Sequence, residues 1–333
     1  MPAFATPENR FRSERLSHLQ KLNAVLNEIW ERNLFYTQTW CNTGVKLHRL
    51  SSLEQLAEFP LITRAQLLAD QTAAPPLGTN LTYPLASFKR FHHSSGTTSG
   101  SPIFWADTVE SWSWVIKCSQ ELFSIAGISS SDRIFFALPF AAGSGPWIIY
   151  EGACRLDRSC LTAGQSTMEE QAGWLKKFRP TILVGKPSHL LELGEFIEAS
   201  GSAPARLAVE KLILTGENSF SPIREPLEKL WSAQCFDRYG LTEAGSVASE
   251  CPAHFGGLHL LGNEFIAEAI DPETAQPVSD GELGELVLTN LGRPGRPIIR
   301  YRTGDRTRLL RNFHCACGRY GTILLGGVTR PEI

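Results

Sequence analysis

The sequence lacks several features that would place it in a specialised class of proteins. No apolar run is long enough to span a membrane, and the polar N-terminus, residues 1–15, has no signal-peptide core. Acidic and basic residues nearly balance at a net charge of −2, which argues against nucleic-acid partners and polybasic membrane patches. Eight cysteines in 333 residues are too few for a disulfide scaffold and favour burial or metal binding. These absences predict a cytoplasmic globular protein without nucleic-acid or membrane partners.

A short run of serine, threonine and glycine, here called the phosphate loop, is the first positive clue. It has no bulky side chain, so its backbone N–H groups and hydroxyls can approach phosphate oxygens closely. It lacks the Gly-Lys-Ser/Thr ending of a kinase-type phosphate loop. Taken alone, it fits a flexible surface linker equally well. Its members are Ser94, Ser95, Gly96, Thr97, Thr98, Ser99 and Gly100.

The order of helix-like and strand-like segments predicts an α/β fold. Apolar residues at helical spacing indicate a helix over 12–33, and two capping boxes are predicted, at Ser51 with Glu54 and at Thr63 with Gln66. From residue 88 strands and helices alternate, which predicts mostly parallel sheets covered by helices. Later strands separated by Gly, Pro and Asp turns predict a smaller β-rich subdomain. The predicted divisions are a helical segment 1–87, an α/β core 88–256, the β-rich part 257–325 and a truncated hinge 326–333.

Two later motifs, Tyr-Gly-Leu-Thr-Glu at 239–243 and Tyr-Arg-Thr-Gly-Asp at 301–305, each follow a β-like run. With the phosphate loop, and in this order, they resemble the adenylate-forming superfamily of acyl-CoA synthetases, luciferases and peptide-synthetase adenylation domains. Flanking phrases such as 281–287 and 315–319 resemble the phenylacetate–CoA ligase family in particular. The resemblance covers about residues 34–325. It implies activation of a carboxylic acid by ATP to an acyl-adenylate, followed by transfer to CoA or another thiol.

The resemblance also implies roles for single residues around the nucleotide. The phosphate loop would wrap the β- and γ-phosphates, Tyr239 beside Gly240 would face the adenine, and Asp305 would accept both ribose hydroxyls. Gly216 and Glu217 would belong to a loop along the adenine edge.

Two residues of the 239–243 motif are expected to take part in catalysis. By resemblance, Thr242 contacts the α-phosphate and Glu243 holds Mg²⁺, a hard cation that suits carboxylate and phosphate oxygens.

An acyl pocket is expected between the phosphate loop and segment 138–147. Gly143 and its small neighbours leave room, and Phe136, Phe140 and Trp147 would form apolar walls. This interpretation favours an aromatic or other apolar acid. Ordinary core packing is the alternative for each aromatic residue.

A set of cysteines and one histidine suits a structural zinc site. A Cys-x-Cys pair with a distant cysteine and histidine can supply four tetrahedral ligands, and some phenylacetate–CoA ligase relatives carry a metal at matching segments. His254 and His314 are alternative ligands, and ordinary unpaired cysteines are the alternative interpretation. The expected ligands are Cys251, His259, Cys315 and Cys317.

The sequence departs from the family pattern in two places. The phosphate loop ends one residue later than usual, and no lysine follows Lys229. The family continues beyond a hinge into a domain that carries a catalytic lysine, so we expect that domain to be missing here or supplied in trans. Without the lysine, the rate would fall by roughly 10²–10³. The alternative function is a catalytically impaired nucleotide- or acyl-binding module or sensor. The pattern also leaves open whether the acyl acceptor is CoA, a carrier protein or an amine, and whether the protein is a homodimer.

Overall fold

The computed structural model describes residues 7–46, 49–94, 101–217 and 222–330, with the backbone alone for 7–12. No helix in these ranges is long and apolar enough to cross a membrane. The α-helices are α1 (Pro7–Ile29), α2 (Leu34–Thr43), α3 (Arg64–Ala73), α4 (Val109–Ile125), α5 (Ser144–Arg155), α6 (Met168–Phe178), α7 (Pro187–Ala199) and α8 (Arg224–Trp231). Short 3₁₀ helices span Leu53–Glu58, Leu85–Ser87 and Pro204–Arg206.

The strands form a two-stranded ribbon and one large sheet. The ribbon pairs β1 (Phe88–His93) with β2 (Phe104–Thr108), and the phosphate loop joins them. The strands of the large sheet are β3 (Arg133–Ala137), β4 (Ser159–Thr162), β5 (Ile182–Gly185), β6 (Lys211–Leu214), β7 (Gln234–Leu241), β8 (Gly245–Cys251), β9 (His254–Leu260), β10 (Phe265–Ile270), β11 (Leu283–Asn290), β12 (Tyr301–His314) and β13 (Tyr320–Thr329).

The large sheet changes from antiparallel to parallel pairing at β7. Its order is β10-β11-β12-β13-β9-β8-β7-β6-β5-β3-β4. Strands β7, β6, β5, β3 and β4 pair in parallel, and the pairs from β7 to β10 are antiparallel. The predicted α/β class is confirmed, although the sheet is mixed. The division between an α/β core and a β-rich subdomain stays a prediction, because one sheet runs unbroken through both.

One of the two predicted capping boxes differs from the structure. The box at Thr63 and Gln66 forms as predicted, with both reciprocal bonds present. The other box uses Ser52 and Gln55 and starts a 3₁₀ helix, so the predicted pair Ser51 and Glu54 is wrong by one residue. The sequence allows either box, because Ser51 and Glu54 have the same spacing as Ser52 and Gln55.

Candidate active site

A cavity of about 450 Å³ opens where the parallel strands end. The loops that follow β3, β5, β6 and β7 all contribute to its lining, and these are the carboxyl ends of the strands. Ligands bind in such crevices in open α/β sheets. Residues from all three motifs line it, among them Ser94, Gly240, Thr242, Glu243, Tyr301 and Thr303.

Arg64 connects the phosphate-loop stems to the 239–243 motif. Its Nη2 donates to the Ser94 hydroxyl oxygen at 3.1 Å and to the Ser101 carbonyl at 3.0 Å. Its Nη1 donates to Glu243 Oε1 at 3.1 Å. Ser94 also accepts a bond from the Ile103 backbone N–H through its hydroxyl. A cation therefore lies beside the place that the sequence assigns to triphosphate. The other members of the predicted loop lie outside the described residues: Ser95, Gly96, Thr97, Thr98, Ser99 and Gly100.

The carboxylate of Glu243, predicted to hold Mg²⁺, is buried, with 4% of the residue exposed. Besides the ion pair with Arg64, it accepts a bond from the Tyr301 hydroxyl at 3.3 Å. Thr242 lies beside it in the cavity lining. The Glu243 carboxylate, the predicted oxygen ligand for Mg²⁺, therefore lies at the cavity wall next to the position expected for phosphate.

A fully buried arginine fixes the backbone of the same motif. Arg293 Nη1 donates to the carbonyls of Thr242 and Glu243 at 3.0 and 2.9 Å. Its Nε and Nη2 donate to both carboxylate oxygens of Asp107 at 2.7 and 2.6 Å, and both side chains are inaccessible to solvent. Because Asp107 lies on β2, this pair joins the ribbon that carries the phosphate loop to the Thr-Glu segment.

Tyr239 and Asp305 meet directly, although 66 residues separate them. The Tyr239 hydroxyl donates to Asp305 Oδ2 at 2.7 Å, and Arg330 Nε donates to Oδ1 at 2.6 Å. Burial and the neighbouring carboxylate raise the pKa of Tyr239 well above its ordinary value, so the phenol stays protonated and remains a donor. A Cβ at Gly240 would lie 2.5 Å from the Gly245 carbonyl oxygen, so only glycine fits after the tyrosine.

The predicted adenine-edge loop follows β6. Gly216 lines the cavity with φ of +82°, a left-handed conformation that favours glycine. Glu217 accepts bonds from the Ser188 N–H and hydroxyl in the first turn of α7, at 3.1 and 2.9 Å. Glu217 therefore caps a helix, and Lys186 rather than Glu217 reaches the cavity lining.

One of the four residues predicted for the acyl pocket lines the cavity. Gly143 lines the cavity, whereas Phe136 is fully buried in the core between β3 and α5. Phe140 and Trp147 pack edge to face at 5.0 Å beside the cavity and are not part of its lining. Both faces of β3 are covered, so alternation along the strand buries Phe136 in the core with residues of α4 and α5 instead of bringing it to the cavity. The apolar lining comes instead from Leu138, Pro139, Ile148 and Ile149.

The four predicted zinc ligands come together where β8, β9 and the turn between β12 and β13 meet. All four ligand atoms lie within 4.8 Å of one another. Cys251 Sγ is 3.6 Å from Cys315 Sγ, and Cys317 Sγ is 3.6 Å from His259 Nε2. Tetrahedral zinc at its usual bond lengths would separate its sulfur ligands by roughly 3.7 Å, so the donor set fits the ion. The alternative ligands pack elsewhere: the His254 ring lies against Phe313 and the His314 ring against Tyr320.

Three arginines at the site were missed by the sequence analysis. Arg64 follows a helix cap, Arg293 lies in a glycine- and proline-rich turn, and Arg238 lies inside a buried strand. None belongs to a local motif, and arginine is mostly a surface residue. For Arg238 the sequence did contain a signal: it lies within the strand-like run Cys-Phe-Asp-Arg-Tyr, where a solvent-exposed arginine is not expected.

Comparison with known proteins finds no matching family model. The chain is 30% identical over 300 residues to phenylacetate–coenzyme A ligase of Pseudomonas putida, covering 89% of this chain and 66% of that protein. It is 28% identical over 310 residues to the Thermus thermophilus ligase of the same name, covering 92% and 68%. The chain therefore spans about two thirds of the length of these relatives.

Solved structures show the same fold. 2-Hydroxyisobutyryl-CoA ligase in complex with 2-HIB-AMP and CoA superposes with a TM-score of 0.87 at 25% identity, covering 94% of this chain and 69% of the ligase. Its thioesterification state gives a TM-score of 0.89 and covers 99% of this chain. The long-chain-fatty-acid–CoA ligase FadD1 of Archaeoglobus fulgidus is 18% identical and superposes with a TM-score of 0.54. The superposition covers 72% of this chain and 51% of FadD1.

Proposed function

Because this chain belongs to the adenylate-forming superfamily and is homologous to its phenylacetate–coenzyme A ligases, we propose that it activates a carboxylic acid with ATP. The acid oxygen attacks the α-phosphorus, pyrophosphate leaves, and an acyl-adenylate remains. The sulfur of CoA or another thiol then attacks the acyl carbon and AMP leaves. The observation that carries this proposal is that residues from three motifs far apart in sequence line one cavity.

The cavity offers suitable groups for the nucleotide. In this proposal Tyr239 packs against the adenine, Asp305 accepts the ribose hydroxyls and Thr242 contacts the α-phosphate. Glu243 holds Mg²⁺, which neutralises phosphate charge, and the adjacent Arg64 guanidinium supplies further positive charge. The ion pair between Arg64 and Glu243 would open as the cation and the phosphates compete for its two ends.

We also propose that Cys251, His259, Cys315 and Cys317 bind a structural zinc ion. The ligands come from the end of β8, from β9 and from the turn between β12 and β13. The ion would therefore fasten the β12–β13 hairpin to β9 and to β8, whose opposite end lines the cavity. Homodimer formation and a cytoplasmic location remain predictions from the sequence.

A direct test is acid-dependent exchange of labelled pyrophosphate into ATP. The assay takes the chain alone and the chain supplemented with a lysine-bearing C-terminal domain of the family, against a panel of aryl, aliphatic and dicarboxylic acids. We expect exchange with at least one acid, faster by roughly 10²–10³ when the lysine-bearing domain is present. No exchange with any acid in either setting would contradict the proposed activity.

A nucleotide- or acyl-binding module without turnover is a second candidate. Its supporting observation is that arginines already neutralise both carboxylates assigned to Mg²⁺ and ribose, through Arg64 with Glu243 and Arg330 with Asp305. Calorimetry with ATP and with an acyl-sulfamoyl adenosine separates the candidates. Binding without exchange would favour the module, and binding of neither compound would exclude both.

Replacing Asp305 by alanine is expected to weaken ATP binding roughly 100-fold or more. The substitution removes two hydrogen bonds from ribose hydroxyls to a charged acceptor, each worth about 1.5–3 kcal/mol. Tyr239→Phe is the matched control, because it removes only the hydroxyl that donates to Asp305 and keeps the ring for adenine. We expect the control to change ATP affinity by a few-fold at most. Equal affinity of wild type and Asp305→Ala in calorimetry would show that the ribose lies elsewhere.

A further inference from the structure

Arg238 is a buried arginine in the cavity wall to which the proposed function gives no role. It lies on β7 directly before Tyr239, and only 6% of the residue is exposed. Its guanidinium carbon lies 4.6 Å from the centre of the Phe123 ring. Its Nη2 donates to the hydroxyl oxygens of Ser119 at 3.2 Å and Ser246 at 3.4 Å. The contacts of Arg238 are therefore neutral: two serine hydroxyls accept from Nη2, and a phenyl ring covers one face of the guanidinium.

The charge of Arg238 has no counter-ion among the residues that the structure describes. Nη1 finds no hydrogen-bond partner there. Burial lowers the pKa of Arg238 to about 9, so the group remains charged at neutral pH. An uncompensated buried charge is costly, and natural proteins normally pair it. Arg293 in the same region has Asp107 as its partner, whereas the described part of the chain offers Arg238 no such anion.

The surroundings hold Arg238 in place. Ser119 lies on α4, and a Cβ at Gly152 on α5 would come within 2.6 Å of the Ser119 hydroxyl oxygen. The two helices therefore pack closely at this point and prevent the serine from moving aside. On the other side, Ser246 belongs to β8 within the large sheet. The guanidinium is thus held by α4 and β8, and α5 packs behind the serine of α4.

We infer that Arg238 binds a second carboxylate on the substrate, so that the acids this cavity activates are dicarboxylic acids. Leu138, Ile148 and Ile149 line the cavity together with Arg238 and would contact the apolar body of the acid, while the Arg238 guanidinium meets the distal carboxylate. A carboxylate supplies both a counter-charge and a charge-assisted hydrogen bond, which a hydroxyl or methyl group does not. This inference rests on the proposed function, because it places the acid in the same cavity as the nucleotide.

The test uses acyl-sulfamoyl adenosines with the wild-type chain in calorimetry. Diacid analogues from malonyl to adipyl are each paired with two counterparts of equal length. In one, methyl groups replace both oxygens of the distal carboxylate, and in the other a primary amide replaces the carboxylate. We expect at least one length at which the carboxylate analogue binds about 10-fold tighter than both counterparts. Carboxylate binding that is equal or weaker at every length would overturn the inference, while absence of binding by all analogues would overturn the proposed function as well.

Two variants of Arg238 test whether this residue causes a preference for the carboxylate analogue. Arg238→Met keeps the length of the side chain and removes the charge, so we expect the methyl counterpart to bind tighter than the carboxylate analogue. Its melting temperature should be unchanged or higher, because an uncompensated buried charge has been replaced by an apolar group. Arg238→Lys keeps the charge and should retain part of the preference. If the Met variant binds ATP normally and still prefers the carboxylate analogue as strongly as wild type, Arg238 does not set the substrate class.

Discussion

Replacing Cys315 by serine is expected to remove about one equivalent of bound zinc and to lower the melting temperature by roughly 5–10 °C. A metal present at about 1,000 times its dissociation constant contributes roughly 4 kcal/mol to folding stability. Loss of one of four ligands leaves two thiols and an imidazole crowded together without the ion that holds them. Elemental analysis of purified protein and a thermal unfolding scan measure the two effects.

Cys118 provides the matched control for the zinc prediction. Both residues are buried, with 1% of Cys118 and 8% of Cys315 exposed, but Cys118 lies on α4 and is not one of the four clustered ligands. Cys118→Ala should keep the full metal content and lose only the small stability of a truncated core side chain. Protein that is purified without metal, and whose melting temperature is unchanged by chelator, would contradict the zinc assignment.

Asp107→Asn is expected to destabilise the fold by about 3–5 kcal/mol, because it leaves the Arg293 guanidinium charged and unpaired in the interior. Urea unfolding would show this as a lower midpoint with an unchanged slope. The exposed ion pair between Arg311 and Asp280 is the control. Asp280→Asn should cost about 1 kcal/mol or less. Similar losses for both variants would show that burial of the Arg293 pair has no special energetic weight.

A double variant separates stability from binding. Asp107→Leu with Arg293→Met removes both charges and should recover much of the stability lost by Asp107→Asn. The carbonyls of Thr242 and Glu243 then lose their buried donor, so the backbone at the proposed phosphate contact is no longer fixed. We expect the double variant to remain folded but to bind ATP more weakly than wild type.

The fold class was predictable because the local patterns agree with the tertiary structure. The capping box predicted at Thr63 with Gln66 starts α3, and strands and helices alternate from β3 to β7 as predicted. Short apolar runs next to capped helices leave few other arrangements. The change from parallel to antiparallel pairing at β7 was not predictable, since strand direction depends on partners distant in sequence.

The candidate site was predictable only where a motif carries it. Tyr239, Thr242 and Glu243 line the cavity as the resemblance implied, although their chemical roles stay proposals. Phe136 was assigned to the pocket because the sequence does not distinguish an aromatic residue beside a pocket from one in the core. Arg238 and Arg293 were missed for the opposite reason, since a buried charge is recognised only by the residues that surround it.

The bidentate contact between Asp107 and Arg293 has a consequence for how such sequences can diverge. A substitution at either position alone leaves a charge stranded in the interior, so acceptable changes must come in pairs. Positions 107 and 293 should therefore co-vary among homologues, although 186 residues separate them. This pair fixes the β1–β2 ribbon to the Thr242-Glu243 segment. A chimera that exchanged only one of these two segments with a relative would therefore break the pair.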